Sequence, residues 1–244
     1  MINMPQQDTA DLISLRKDLK KRASAKKAKI SARFFKTGPG EYGEDDVFIG
    51  VVMPDTRRVA KMYTGLSLPE TEKLLHSRIH EERMCALLIL IERFKGGSQP
   101  DRERIYKLYL KNTKYINNWD LIDLSAPHIV GEFLADKPKV ILYKLAKSKS
   151  LWERRIAVLS TFNFIYKGKS QETLKIAEIL LDDEHDLIQK AVGWMLRETG
   201  KRCSEKILED FLHKRYKQMP RTMLRYAIER LPEARRKAYL GGTI

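Results

Sequence analysis

A tryptophan and an aspartate stand four positions apart in the stretch Asn-Trp-Asp-Leu-Ile-Asp, residues 118–123. In a helix that starts near Asn118, Trp119 and Asp123 lie on nearly the same face. Both groups can stabilise positive charge, the carboxylate through its own charge and the indole through its electron-rich face. The alternative is structural: Trp119 packs in the core, Asp120 is an acid of the first helical turn and Asp123 is solvated.

Length and composition favour a single domain that has no membrane span and whose cysteines are not joined in disulfides. The 244 residues are 43% hydrophobic, which suffices for one sizeable core or one elongated repeat array, so we expect a single domain over residues 1–244. The longest apolar run, residues 85–91, is far shorter than the ~18 residues of a membrane span. Two cysteines give no disulfide framework, and the N-terminus lacks the residue order of a secretory signal. We therefore expect a cytoplasmic protein of the bacterial-type cytosol and nucleoid.

The net charge of +15 indicates a polyanionic partner. Residues 1–30 carry eight basic and three acidic side chains, so a basic N-terminus accounts for only a third of the excess. A folded body with the remaining positive charge is typical of a nucleic-acid-binding protein. No basic amphipathic anchor with exposed bulky apolar residues is evident, so a membrane surface is a weaker candidate.

Helix signals run along almost the whole chain. The pattern predicts basic helices over about 8–35, a loop over 36–47, an extended lead-in over 48–52 and helical repeats over about 54–240. Ser67, Ser170 and Pro232 stand at predicted helix starts. Glycines are placed where helices should stop, at Gly96–Gly97, Gly168 and Gly200.

Small residues recur at one position of the longer helices. They are separated by steps of 39, 32, 34 and 36 residues, and they are Ala86, Ser125, Ala157, Ala191 and Ala227. The interval predicts an all-α fold, a right-handed helical solenoid of HEAT-like two-helix repeats that curves around a basic concave face. Two positions before the last four of these small residues stand Asp123, Arg155, Gln189 and Arg225. Equivalent positions on neighbouring repeats lie about 8–10 Å apart, so Asp123 and Arg155 are candidate neighbours.

Three sequence blocks resemble the signatures of the AlkD-like DNA alkylation repair glycosylases, in the same order and with similar separation. They are residues 119–123 (WDLID), 152–157 (WERRIA) and 188–198 (IQKAVGWMLRE), and the resemblance extends from about Ala32 to the C-terminal helices. It implies a C-shaped stack of HEAT-like helix pairs that holds duplex DNA and excises cationic N-alkylated purines such as N3-methyladenine and N7-methylguanine.

The resemblance also implies roles for single residues. Asp123 is the catalytic acid, Trp119 and Trp194 are aromatic walls against the sugar-phosphate, and Arg155 clamps a phosphate and could orient Asp123. The leaving base is already cationic, so one carboxylate can suffice to stabilise the oxocarbenium-like transition state. No lysine is singled out as a lyase nucleophile, so we expect a monofunctional enzyme, monomeric and without a cofactor. The predicted DNA contacts are Arg154, Lys190, Arg197, Lys201, Arg225, Arg33 and Lys36.

Several alternatives stay open at this point. Phe34 stands where the family can have an aromatic hydroxyl, and Val52 stands where it can have a polar side chain, so the resemblance does not extend to a lesion contact at these two positions. His76 and His80 have the spacing of a metal pair, but without an evident third ligand we expect no metal. Asp123 and Arg155 could form a purely structural ion pair. The chain could then be a non-catalytic DNA-damage binder or a HEAT-like scaffold.

Overall fold

The computed structural model describes residues 11–244, and in this range the chain is helical without a β-strand. The all-α prediction is therefore confirmed. An isolated parallel bridge joins Val47 to Ile79 beside the extended segment 48–52. The predicted start of the first helix at Asp8 lies outside the described residues, and the first described helix begins at Leu12 after Asp11 as its N-cap.

Contacts group the chain into two compact units, and the division falls inside one helix, Trp119–Ala126. The N-terminal unit, described from residue 11 to Leu121, contains α1 (Leu12–Lys20), α2 (Ala25–Phe34), α3 (Met53–Met62), α4 (Leu68–Leu75), α5 (His80–Gly96), α6 (Gln99–Lys111), a 3₁₀ turn (Thr113–Tyr115) and the start of α7 (Trp119–Ala126). The C-terminal unit, Ile122–Ile244, contains the rest of α7, a π-helical turn (Pro127–Gly131), α8 (Glu132–Leu134), α9 (Val140–Ala146), α10 (Leu151–Tyr166), α11 (Gln171–Ile179), α12 (Asp186–Arg202), α13 (Glu205–Arg215), α14 (Arg221–Ala227) and α15 (Glu233–Gly241).

Serine side chains define several helix starts. At α4 the Ser67 hydroxyl accepts a hydrogen bond from the Glu70 backbone N–H and donates one to the Glu70 carboxylate at 2.6 Å. The first of these bonds satisfies an amide group that has no partner inside the helix, and the second holds the hydroxyl in place. Ser170 and Pro232 directly precede α11 and α15, so the predicted starts at these residues are confirmed.

Helix pairs of the C-terminal unit stack in the manner expected of a repeat array. Helix α12 lies beside both α10 and α14, which carry the equivalent positions of the neighbouring repeats, although α14 has only seven residues. Helices α9 and α11 also contact each other. Ala157, Ala191 and Ala227, small residues of the repeat pattern, are all buried. The pattern therefore identified buried positions of these helices, while the curvature and the concave face of the whole chain stay predictions.

Helix α5 forms the centre of the N-terminal unit. It packs against α3, α4 and α6, and the apolar run 85–91 is buried on all sides of the helix. Burial by neighbouring helices explains this run without a lipid environment. Among the described residues, no helix combines the length and apolar character needed to cross a membrane.

Gly200 does not end a helix, so that prediction is wrong. It lies inside α12, and a Cβ at this position would come within 2.6 Å of the Leu208 side chain of α13. The glycine permits a close approach of two helices, and this packing requirement outweighs its weak helix propensity. Gly96 is the last residue of α5, and Gly168 follows α10 with a positive φ of 71°, as expected of helix ends.

Gly193, which precedes the candidate wall residue Trp194, is a second close-approach glycine. A Cβ there would lie 2.4 Å from the backbone carbonyl oxygen of Met223 in α14. We predict that Gly193→Ala lowers the free energy of unfolding by about 1–3 kcal/mol, because backbone cannot move aside without separating α12 from α14. Gly96→Ala is the matched control, since no atom lies within 4 Å of the place that its methyl group would occupy. Chemical denaturation followed by circular dichroism measures both, and equal losses in the two variants would contradict the packing argument.

Candidate active site

The start of helix α7 is fixed by the buried side chain of Asn118. Its Oδ1 accepts a hydrogen bond from the Trp119 backbone N–H at 2.8 Å, and its Nδ2 donates to Asp46 at 3.0 Å. Asp120, the predicted first-turn acid, accepts from the Leu121 backbone N–H at 2.8 Å. Its other carboxylate oxygen lies 2.8 Å from Nε2 of His80. The helix start is therefore tied to α5 as well as to its own backbone.

Trp119 is a half-buried member of an aromatic cluster in the N-terminal unit. Its indole stacks on Phe35, with ring centroids 5.2 Å apart and planes at 27°, and meets the edge of Phe34 at 5.9 Å. The indole N–H donates to the Tyr42 hydroxyl at 3.2 Å. Phe34 itself is 63% exposed. A hydroxyl is thus present at Trp119, and it comes from the loop over 36–47 and not from residue 34.

His80 is the largest feature of the site that sequence reasoning missed. Its side chain is only 4% exposed, and its two ring nitrogens lie 3.0 Å from Asp46 and 2.8 Å from Asp120. Burial alone would lower the pKa of His80, but the hydrogen bonds to Asp120 and Asp46 outweigh it and raise the pKa to about 9. The imidazole is therefore protonated near neutral pH and bridges two carboxylates. The sequence did contain an indication of this network, since His80 and Arg83 stand in the first turn of the helix that carries the apolar run 85–91, and such side chains must find partners when buried.

Asp46 is shared by several donors. Arg83 donates to its second oxygen at 2.5 Å, while Asn118 and His80 contact the first. Burial would raise the pKa of Asp46, but the hydrogen bond from His80 and the charge of Arg83 lower it below its ordinary value. Asp46 is 34 residues from His80 and 72 from Asn118 along the chain. No local pattern could have paired it with either.

His76 and His80, the two histidines with the spacing of a metal pair, face different partners. The Nε2 atom of His76 lies 2.6 Å from Asn112, and its ring stacks on Tyr115 with centroids 3.9 Å apart. His80 faces the two aspartates instead. Over residues 11–244 no group of three or more histidine, cysteine or acidic side chains is arranged to hold a metal ion.

Asp123 and Arg155 form a two-point ion pair within the C-terminal unit. The Arg155 Nε and Nη2 atoms donate to the two carboxylate oxygens at 2.8 and 2.7 Å. Nη1 of the same guanidinium donates to the Leu187 carbonyl oxygen at 2.5 Å. The side chains of Arg155 and Asp123 are 6% and 18% exposed. The repeat register therefore predicted the neighbour of Asp123 correctly, and the arginine lies in a position that fixes the carboxylate.

Trp194 is half-buried on α12 of the C-terminal unit. Its ring lies 5.6 Å from that of Phe162 on α10, at an interplanar angle of 58°. The close packing of Gly193 against α14 fixes the backbone next to it. Trp194 is therefore a partly exposed aromatic side chain on a firmly packed helix.

The predicted DNA-contacting cations divide into two groups. Those with an acidic partner in the structure are Arg154 (to Asp183, 2.7 Å), Lys190 (to Asp186, 2.6 Å) and Arg197 (to Glu229). Those that are exposed at the surface are Arg33, Lys36, Lys201 and Arg225. Arg154 also donates to the carbonyl oxygens of Ser148 and Lys149 at 3.1 Å, so its guanidinium closes the loop before α10. The exposed group is the one whose charge is directly open to a phosphate.

A pocket of about 360 Å³ lies in the N-terminal unit beside the aromatic cluster. Its walls are mainly apolar and include Phe48, Val52 and Met84, and His80 and Asp120 also line it. Val52, the second departure from the family pattern, is the N-cap of α3 and makes no side-chain capping bond. Its apolar side chain therefore serves as pocket wall.

We predict that Arg155→Ala lowers the free energy of unfolding by about 3 kcal/mol, because it leaves a carboxylate without its counter-charge and a carbonyl oxygen without its donor. Arg225→Ala is the matched control, since Arg225 occupies the equivalent repeat position on α14 but is exposed. Its expected loss is within about 0.5 kcal/mol. Thermal and urea denaturation measure the two, and a similar small loss in both variants would show that the pair contributes little to folding.

Comparisons with known proteins agree with the fold and the sequence blocks. A model of the DNA alkylation repair enzyme family matches residues 15–231. Among solved structures, one described as a predicted DNA alkylation repair enzyme from Enterococcus faecalis superposes with a TM-score of 0.65. The two sequences are 16% identical, and the superposition covers 87% of this chain and 98% of the other chain. At this identity the likeness shows the fold alone. No functionally curated protein matches the sequence.

Proposed function

Because this chain belongs to the DNA alkylation repair enzyme family, we propose that it is a monofunctional DNA glycosylase. It hydrolyses the N-glycosidic bond of cationic N-alkylated purines, such as N3-methyladenine and N7-methylguanine, and leaves an abasic site in duplex DNA. The observation that supports this proposal best is the Asp123 carboxylate held at both oxygens by Arg155, four positions after Trp119 on helix α7. We further propose that the protein acts as a cytoplasmic monomer without a cofactor.

In the proposed reaction Asp123 stabilises the sugar as positive charge develops. The glycosidic bond breaks through an oxocarbenium-like transition state, and a carboxylate near the anomeric carbon lowers its energy and positions the attacking water. The carboxylate must not swing away as the charge forms, and the Arg155 fork restrains it. Ordinary glycosidases need a second acid to protonate the leaving group, whereas an alkylated purine already carries a positive charge.

The tryptophans supply the second part of the proposed stabilisation. Trp119 and Trp194 are both half-buried, so each keeps part of its ring accessible. An aromatic face near a cation contributes about 1–2 kcal/mol when water is excluded.

The protein's net charge of +15 attracts DNA. The proposed phosphate contacts are the exposed cations Arg33, Lys36, Lys201 and Arg225.

The alternative function is a non-catalytic binder of damaged DNA, or a scaffold. Two observations favour this alternative, the low exposure of the Arg155 side chain and its two-point bond to Asp123. Both are also expected of an ion pair that only stabilises the fold. A binder has no use for a carboxylate that must act in a reaction, so the effect of neutralising Asp123 separates the two functions.

We predict that Asp123→Asn lowers the rate of base release from methylated duplex DNA about 100-fold or more, because the amide cannot stabilise a cation. DNA affinity changes by no more than about twofold, since the phosphate contacts that dominate binding stay in place. Asp136→Asn is the control, because the Asp136 side chain is 89% exposed and outside the candidate site. Released bases are measured by chromatography and affinity by fluorescence anisotropy. Full activity in Asp123→Asn, or no base release by the wild type, rules out the proposed mechanism.

We also predict selectivity for charged lesions. Without a second acid to activate the leaving group, release of 7-methylguanine should exceed release of uracil by at least about 100-fold in matched duplexes. The comparison uses one enzyme preparation and equal lesion concentrations. Comparable release of uracil would mean that another group activates the base, and it would contradict the role of lesion charge.

A further inference from the structure

A chain of contacts leads from the buried His80 to Trp119 in the N-terminal unit. The His80 ring lies 5.0 Å from the ring of Phe35, which also stacks on the Trp119 indole at 5.2 Å. Phe48 completes the support, with ring centroids 5.1 Å from Phe35 and 4.6 Å from His80. The ring of Trp119 is thus backed by aromatic side chains that rest on the imidazole.

A second chain of contacts leads from His80 to the backbone of Trp119. His80 bonds to Asp120, the next residue of α7, and to Asp46, which also accepts from Asn118. Asn118 in turn accepts from the Trp119 backbone N–H. Both the ring and the backbone of Trp119 are therefore connected to one buried side chain.

We propose that His80 is a positioning residue, which fixes the orientation of Trp119 through the Phe35 ring and the first turn of α7. The catalytic part of this inference depends on the proposed function, in which Trp119 faces the reacting sugar. Groups that act on a developing charge must be held to within about 0.5 Å, and a displacement of about 1 Å can cost 100-fold in rate. His80 does not itself touch the DNA, since its side chain is almost fully buried.

Only an imidazole that is protonated on both nitrogens can donate hydrogen bonds to Asp46 and Asp120 at the same time. A neutral ring has one N–H and could donate to a single aspartate, whereas the cation donates to Asp46 and Asp120 together. The pKa of about 9 agrees with this form at neutral pH. Arg83 is the other cation at Asp46, and it also holds the carbonyl oxygens of Ser77 and Arg78. Without the charge on His80, Asp46 would keep Arg83 as its cation, whereas Asp120 would lose the cation that ties the start of α7 to α5.

The test compares His80→Gln with His76→Gln. Glutamine can donate to one aspartate but carries no charge and no ring, so it removes both supports of Trp119. His76 is the matched control, because it lies four positions earlier and contacts Asn112 and Tyr115 without reaching Trp119. Single-turnover base release and DNA affinity are measured on each variant, at a temperature where circular dichroism shows it folded. We expect His80→Gln to lose at least about tenfold in rate with affinity within about twofold, and His76→Gln to lose neither.

Acrylamide quenching of Trp119 fluorescence gives a readout that does not depend on catalysis. Trp152→Phe and Trp194→Phe together leave Trp119 as the sole tryptophan of the chain. In that background His80→Gln should raise the quenching constant at least about twofold, because a loosened indole is reached more often by the quencher. Phe35→Leu, which interrupts the ring support but leaves all charges in place, should raise it as well.

Unchanged quenching and an unchanged rate in a folded His80→Gln protein would overturn the proposal, as would an equal loss of rate and DNA affinity. If His80→Gln does not fold, Phe35→Leu decides the matter by the same two measurements. If the wild type releases no base, the proposed function fails, and quenching alone decides whether His80 holds Trp119.

Discussion

A charged side chain removed from water must find an opposite charge and hydrogen bonds, or the fold loses several kcal/mol. This requirement determines where buried charged side chains are placed within each unit. In the N-terminal unit it brings Asp46 and Asp120 to the two nitrogens of His80. In the C-terminal unit it brings the Asp123 carboxylate to the guanidinium of Arg155. Asp123 belongs to one of these pairs, and the start of the helix that carries Trp119 is held by the other.

Two arginines at equivalent positions of the repeat find partners for their charge in the same way. Arg83 stands three residues before Ala86, and Arg154 stands three residues before Ala157. Each folds back on the carbonyl oxygens five and six residues upstream, and each bonds to a carboxylate distant in the chain. In both cases an arginine of a long helix thereby holds the backbone of the loop that precedes that helix. Arg154 thus has a clear structural role, whatever part it has in binding DNA.

The sequence allowed the helix pairs and one half of the site to be predicted. Small residues at intervals near 35 mark the buried faces, and the same register predicts Arg155 beside Asp123, where the structure has it. Such a prediction works because neighbouring repeats impose one geometry on equivalent positions. The network around His80 could not be found in this way. Asp46 lies in an irregular loop, and its partners are 34, 37 and 72 residues away. Gly200 was misjudged for a related reason, because its role depends on Leu208 of the next helix.

The hydroxyl at the Trp119 indole comes from Tyr42, in a loop and not in a packed helix. Loops tolerate substitution, insertion and changes of length far better than helices whose faces are buried against neighbours. The orientation of the Trp119 indole can then be adjusted during evolution by substitution at Tyr42 and the exposed residues around it, while Asp46 at the end of the same loop keeps its bonds to the helices.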